Sequence, residues 1–194
     1  MTAYSPQSCL IVVDFQNDFA DPAGSLFVES APRLIDFIND QAALAGASGA
    51  SVIRSQDWHP ESTPHFAKDG GVWPVHCVAG SWGAEFHPDL RVEGPVIRKG
   101  VGGEDGYSAF TVRDPETGEE SHTGLEGILR EGGITDVVVC GLATDYCVKE
   151  TARDAAGLGF ATILLADGIG SVDIEPGDGA RAIASMIASG VTVE

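Results

Sequence analysis

Positive charge is scarce in this chain: 11 lysines and arginines stand against 29 aspartates and glutamates, a formal net of −18. Such a surface repels phosphate backbones and anionic membrane faces alike, which argues against nucleic acid as a partner. The acidic residues are spread along the sequence rather than gathered in a tail, so a solubilising surface accounts for them. No stretch approaches the roughly 20 apolar residues of a membrane-spanning helix, and MTAYSPQS lacks a basic segment followed by an apolar one. The expected location is the cytoplasm, with no membrane partner. Cys9, Cys77, Cys140 and Cys147 form no Cys-x-x-Cys pair, and a 194-residue chain buries a sizeable core without disulfides. Reduced thiols in one domain spanning 1–194 are expected. Internal repeats and low-complexity segments are also missing, and the glycine-rich GVGGEDG (100–106) matches neither the dinucleotide nor the Walker fingerprint.

What the chain does contain is a series of short apolar runs with helical segments between them. CLIVVDF (9–15), ASVIRS (50–55), PVIRKG (95–100), DVVVCG (136–141), ATILLAD (161–167) and GVTVE (190–194) read as strands. In 31–47, Leu34, Ile35, Ile38, Ala42 and Ala45 fall near one helical face, and GLEGILREGG (124–133) is a helix bounded by glycines. Further helices are expected from about Asp145 and after Pro176. The alternation predicts an α/β fold in three layers, a mostly parallel six-stranded sheet with helices on both faces. Residues 56–94 break the pattern, being rich in Trp, His, Pro and Gly without a period. So long an irregular insertion in a compact domain is usually functional.

Several strand ends carry chemistry. DFQNDF crowds carboxylates and amides at the C-terminal end of the first strand, the edge where open α/β sheets bind ligands. Asp14 there is either a reacting carboxylate or a turn residue. Lys99 ends another strand, as a site ammonium or a solvated charge. Cys147, in GLATDYCV, is either a packed small hydrophobe or a nucleophile at a helix start. In the second case the aligned N–H groups, and a nearby Lys99, would lower its thiol pKa. The same N–H groups could hold an oxyanion after attack on a carbonyl. A carboxylate, an ammonium and a thiol at one edge are the set expected of acyl transfer.

The insertion supplies a second group. Asp57 and His59 are two apart in QDWHP, so an extended backbone points both the same way. His65 and His76 follow within twenty residues, whereas His87 and His122 lie outside the cluster. One carboxylate with up to three imidazoles suits a divalent ion such as zinc, iron or manganese. The bland alternative is that these histidines cap turns or pack on the tryptophans. Cys77 beside His76 reads as packing.

DFQNDF, QDWH, WPVHCVAGSWGAEFH, RKG and GLATDYCV, in this order across nearly the whole chain, resemble the nicotinamidase branch of the isochorismatase-like cysteine hydrolases. The resemblance implies an isochorismatase-like, Rossmann-like fold and a catalytic triad of Asp14, Lys99 and Cys147. It implies metal ligands at Asp57, His59, His65 and His76, and an oxyanion received by the N–H groups of Ala143 and Cys147. The family's cis peptide would fall between Leu142 and Ala143, and Phe19, Trp73, Tyr107 and Leu142 would line the substrate pocket. Tyr146 stands where some relatives carry His. The implied activity is hydrolysis of nicotinamide, or a similar small aromatic carboxamide, to the acid and ammonia through a thioester, in a monomer or a homo-oligomer. Relatives acting on carbamoyl or ureido compounds share the triad but generally not the histidines, and isochorismatase proper lacks the cysteine. A metal-binding or redox-sensing domain without catalysis is the alternative of another class.

Overall fold

The computed structural model describes residues 2–194. In chain order its elements are β1 (Ser8–Val13), α1 (Asn17–Ala20), α2 (Ile35–Ala47), β2 (Ser51–Asp57), β3 (Val96–Lys99), β4 (Thr111–Arg113) and β5 (Glu120–His122). They continue with α3 (Leu125–Glu131), β6 (Asp136–Leu142), α4 (Lys149–Gly157), β7 (Ala161–Gly170), α5 (Asp178–Ala188) and β8 (Thr192–Val193). Six strands form one sheet in the order β3-β2-β1-β6-β7-β8, and every adjacent pair in it is parallel.

From Cys9 to Val13, β1 is apolar without interruption because both its faces are covered, as parallel sheets require. Cys9, Ile11 and Val13 face a core shared with Leu125 and Leu129 of α3, Ala152 and Ala155 of α4, and Met186 of α5. Leu10 and Val12 face the opposite core with Ile35, Ile38 and Ala45 of α2. Side chains alternate across a strand, so one hexapeptide serves both layers. Each fully buried Leu, Ile or Val contributes about 1.5–3 kcal/mol relative to exposure, which makes β1 the axis of the fold.

The strand order turns back between β1 and β6, and ligands of open α/β sheets settle in the crevice beyond such a switch point. Gly141 lets the two strands meet there. Its φ is 114°, and a Cβ on it would collide with the Val13 backbone. Just past β6 the chain makes a wide π-helical turn (Thr144–Val148) that runs into α4 and carries Cys147.

Several expectations are corrected in detail. β1 ends at Val13, before Asp14. The helix expected over 31–47 divides into a 3₁₀ turn (Ala31–Arg33) and α2. β2 runs to Asp57, so the irregular insertion starts at Trp58, and two of its turns are 3₁₀ (Ala67–Asp69 and Trp82–Ala84). The antiparallel hairpin β4–β5 was not expected, because its three-residue strands are largely polar and exposed. No helix among the described residues is long and apolar enough to cross a membrane.

Candidate active site

Four strand ends converge on one buried ammonium. Lys99, the last residue of β3, is 1% exposed. Its Nζ lies 2.8 Å from Asp14 Oδ2 and 2.8 Å from Asp57 Oδ1, donates to the Tyr107 carbonyl at 3.1 Å, and stands 3.4 Å from Cys147 Sγ. Asp14 follows β1 with φ 44°, a left-handed conformation uncommon outside glycine. Ser55 on the adjacent β2 donates from Oγ to Asp14 Oδ1 at 2.6 Å and accepts the Asp14 N–H at 3.2 Å. Oxygens of Asp14 and Asp57 and the sulfur of Cys147 all lie within 4.8 Å of one another.

Burial governs the protonation states. It pushes the Asp14 carboxyl upward against the opposing pull of Lys99. Burial alone would depress the Lys99 ammonium, but Asp14 and Asp57 outweigh it and hold the group well above its usual value. Asp57 is likewise driven up by burial, yet Lys99 and the neighbouring imidazoles bring it well below the usual carboxylate range. The thiol of Cys147 is pushed well up by burial, with Lys99 opposing and Asp14 and Asp57 adding. This differs from the expectation of an acidified thiol: burial of the sulfur, with the two carboxylates adding to it, prevails over Lys99. At rest the group is a protonated thiol within 4.8 Å of an Asp14 oxygen.

Asp57 has a second oxygen, and it points at the histidines. Its Oδ2 is 3.9 Å from His59 Nε2 and 4.0 Å from His76 Nε2. Nitrogens of His59, His65 and His76 lie within 4.8 Å of one another, all three residues being buried. His76 Nδ1 bonds the Pro74 carbonyl at 2.8 Å and His65 Nδ1 bonds Asp105 Oδ1 at 2.8 Å. His59 has no hydrogen-bond partner for either buried nitrogen. An orphaned imidazole is costly in a protein interior, and a metal ligand resolves it. Burial also lowers His76 to about 4, so it presents a neutral lone pair. The donor set of one carboxylate and three imidazoles fits a divalent ion of the zinc, iron or manganese type.

Above the sulfur lies a cleft whose lining is mainly apolar. Phe19, Trp73, Tyr107, Leu142 and Ala143 line it, and the Leu142–Ala143 peptide is cis. Trp73 Nε1 donates to Tyr107 Oη at 3.1 Å. Tyr146 packs edge-on against Trp73 with centroids 4.9 Å apart, which makes it a wall of the cleft. Cys77 turns its sulfur toward the Gly83 carbonyl, and His87 sits 3.9 Å from Asp21, both away from this group. Sequence reasoning missed Ser55, Asp105, Leu26 and Val172 at or behind the site.

The model of the Isochorismatase domain matches residues 8–194. The chain belongs to that family. Within it, the chain is 39% identical to a nicotinamidase of Escherichia coli over 97% of this chain and 94% of the relative. PnC1 from L. infantum, solved in complex with nicotinate, superposes with a TM-score of 0.88 at 38% identity, covering 100% of this chain and 95% of that one. A pyrazinamidase of Pyrococcus horikoshii, solved in complex with zinc, gives a TM-score of 0.85 at 37% identity, with 97% and 99% covered. The family's three-layer, parallel-sheet fold is thus the fold of this chain.

Proposed function

We propose that the protein is a nicotinamidase that hydrolyses nicotinamide to nicotinate and ammonia through a thioester at Cys147. The observation that carries this reading is the position of Lys99. Its ammonium touches Asp14, Asp57 and the sulfur, joining a nucleophile and base to the histidine cluster. The nicotinamidases and nicotinate-bound structure similar over the full chain support the substrate.

In this mechanism Asp14 takes the Cys147 proton as the sulfur attacks the carboxamide carbon. Lys99 stays charged and keeps negative charge from accumulating as the proton moves. The N–H groups of Ala143 and Cys147 receive the oxyanion. Protonated Asp14 then donates to departing ammonia, leaving the acyl group on sulfur, and returns to its role as base for the water that hydrolyses the thioester. One difficult amide hydrolysis becomes two easier steps. Phe19, Trp73, Tyr107 and Leu142 clasp the ring and exclude water. Asp57, His59, His65 and His76 would hold one divalent ion, which when bound supplies a Lewis acid for the pyridine nitrogen and so orients the carboxamide.

The test is ammonia release from nicotinamide by zinc-loaded protein, with Cys147→Ala as the control. The methyl group preserves packing and removes the nucleophile, so the variant should fold normally and release nothing above background. Residual turnover in it would remove the acyl-enzyme route, and release from a ureido compound in preference to nicotinamide would replace the substrate.

A further inference from the structure

The three histidines are held in different ways. His76 is oriented by a main-chain carbonyl and His59 by no hydrogen bond at all, whereas His65 is oriented by a carboxylate, Asp105, forty residues away. Asp105 belongs to the glycine-rich loop that follows β3. Its main chain is fixed independently of its side chain, since its N–H donates to the Arg113 carbonyl at 2.7 Å and its carbonyl accepts the Arg113 N–H at 2.6 Å. The hairpin β4–β5 thereby anchors the loop. The side-chain Oδ1 also accepts the Gly106 N–H at 2.8 Å, which sets the carboxylate's angle toward His65. Two residues on, Tyr107 lines the cleft and gives its carbonyl to Lys99.

We infer that Asp105 is a positioning residue for the metal site: by accepting the Nδ1 proton of His65 it fixes the tautomer and ring angle that leave Nε2 for the ion. The inference rests on the metal-site reading above. A carboxylate behind a metal-bound imidazole also makes the imidazole a better donor, and loss of such a partner typically weakens metal binding about 10–100-fold. The exposed hairpin therefore serves the site, because Arg113 is the main-chain partner that holds Asp105 in place.

The experiment measures Zn²⁺ affinity by competition with a chromophoric chelator, for the parent protein and for Asp105→Ala, Asp105→Asn, His65→Ala and the Asp105→Ala/His65→Ala double variant. Asp105→Ala is expected to bind Zn²⁺ about 10–100-fold more weakly. Asp105→Asn keeps a hydrogen-bond acceptor without the charge and should fall between it and the parent. If Asp105 acts through His65, the double variant should bind no more weakly than His65→Ala alone. A merely structural role of Asp105 would instead weaken both backgrounds equally, and that result overturns the inference. So does parent-like affinity, within twofold, in a folded Asp105→Ala. Should the parent itself bind no Zn²⁺, the metal-site reading falls and this inference with it. If the parent binds Zn²⁺ and releases ammonia from nicotinamide while the Asp105 variants match it, only the inference falls.

Discussion

Gln16 grips the main chain of Asp57 from both sides. Its Oε1 accepts the Asp57 N–H at 2.8 Å and its Nε2 donates to the Asp57 carbonyl at 2.8 Å, with a further bond from Nε2 to the Ala84 carbonyl at 2.9 Å. The residue is fully buried. One amide thus ties the end of β1 to the end of β2 and to the insertion, and sets the carboxylate that both Lys99 and the histidines face.

Replacing Gln16 by Ala strips buried main-chain groups of their partners, each at a cost of about 1–3 kcal/mol. We expect Gln16→Ala to lose about 2–5 kcal/mol in urea unfolding, and to bind metal more weakly. A variant as stable as the parent would mean that water replaces the amide.

Asp14→Asn keeps the shape of the side chain but cannot accept the thiol proton. Turnover of nicotinamide should drop by about 10²–10⁴-fold or more. The fold should persist, since Asp57 still accompanies the Lys99 ammonium. Near-parental turnover in the variant would reduce Asp14 to a turn residue, and circular dichroism separates inactivity from unfolding.

Because burial and two carboxylates raise the Cys147 thiol well above its ordinary 9.0, the metal-free protein holds it protonated at neutral pH. Only the thiolate is alkylated. Inactivation by iodoacetamide should therefore be slow at pH 7, slower than that of free cysteine, and should climb with pH beyond 9.0 without levelling there. A rate that levels off below pH 7 would reveal an acidified thiol and contradict the electrostatics of the site.

Chelation should separate binding from the thiol chemistry. Stripping the ion from the Asp57, His59, His65 and His76 group is expected to suppress nicotinamide hydrolysis sharply, and Zn²⁺, Mn²⁺ or Fe²⁺ should restore it. Benzamide lacks the ring nitrogen and should be a poor substrate in either state, because it gains no orientation from coordination. Equal hydrolysis of the two amides by loaded protein would make the histidine cluster structural.

The strands of the sheet were legible because burial on both faces leaves no room for polar residues, as β1 and β6 display. The hairpin was illegible for the complementary reason: Thr111–Arg113 and Glu120–His122 pair through their main chains while their side chains meet solvent. Asp14, Lys99 and Cys147 were legible as odd chemical types at strand ends. The raised thiol of Cys147 was not, because local reasoning sees the helix that follows it and misses first the burial of the sulfur and then the two carboxylates delivered by β1 and β2. Asp105 escaped for a related reason. Nothing local marks a carboxylate in a glycine-rich loop as the partner of an imidazole forty residues earlier.

The convergence of β1, β2, β3 and β6 on Lys99 also makes turnover a report on folding. α4 is closed by local hydrogen bonds, but Lys99 meets Cys147 across 48 residues and Ser55 meets Asp14 across 41. Such contacts are made only after the loops between them close, which is slow in parallel sheets. During refolding, helical signal should therefore return well before ammonia release does. A chain that lacks any one of the four strands should have no site at all.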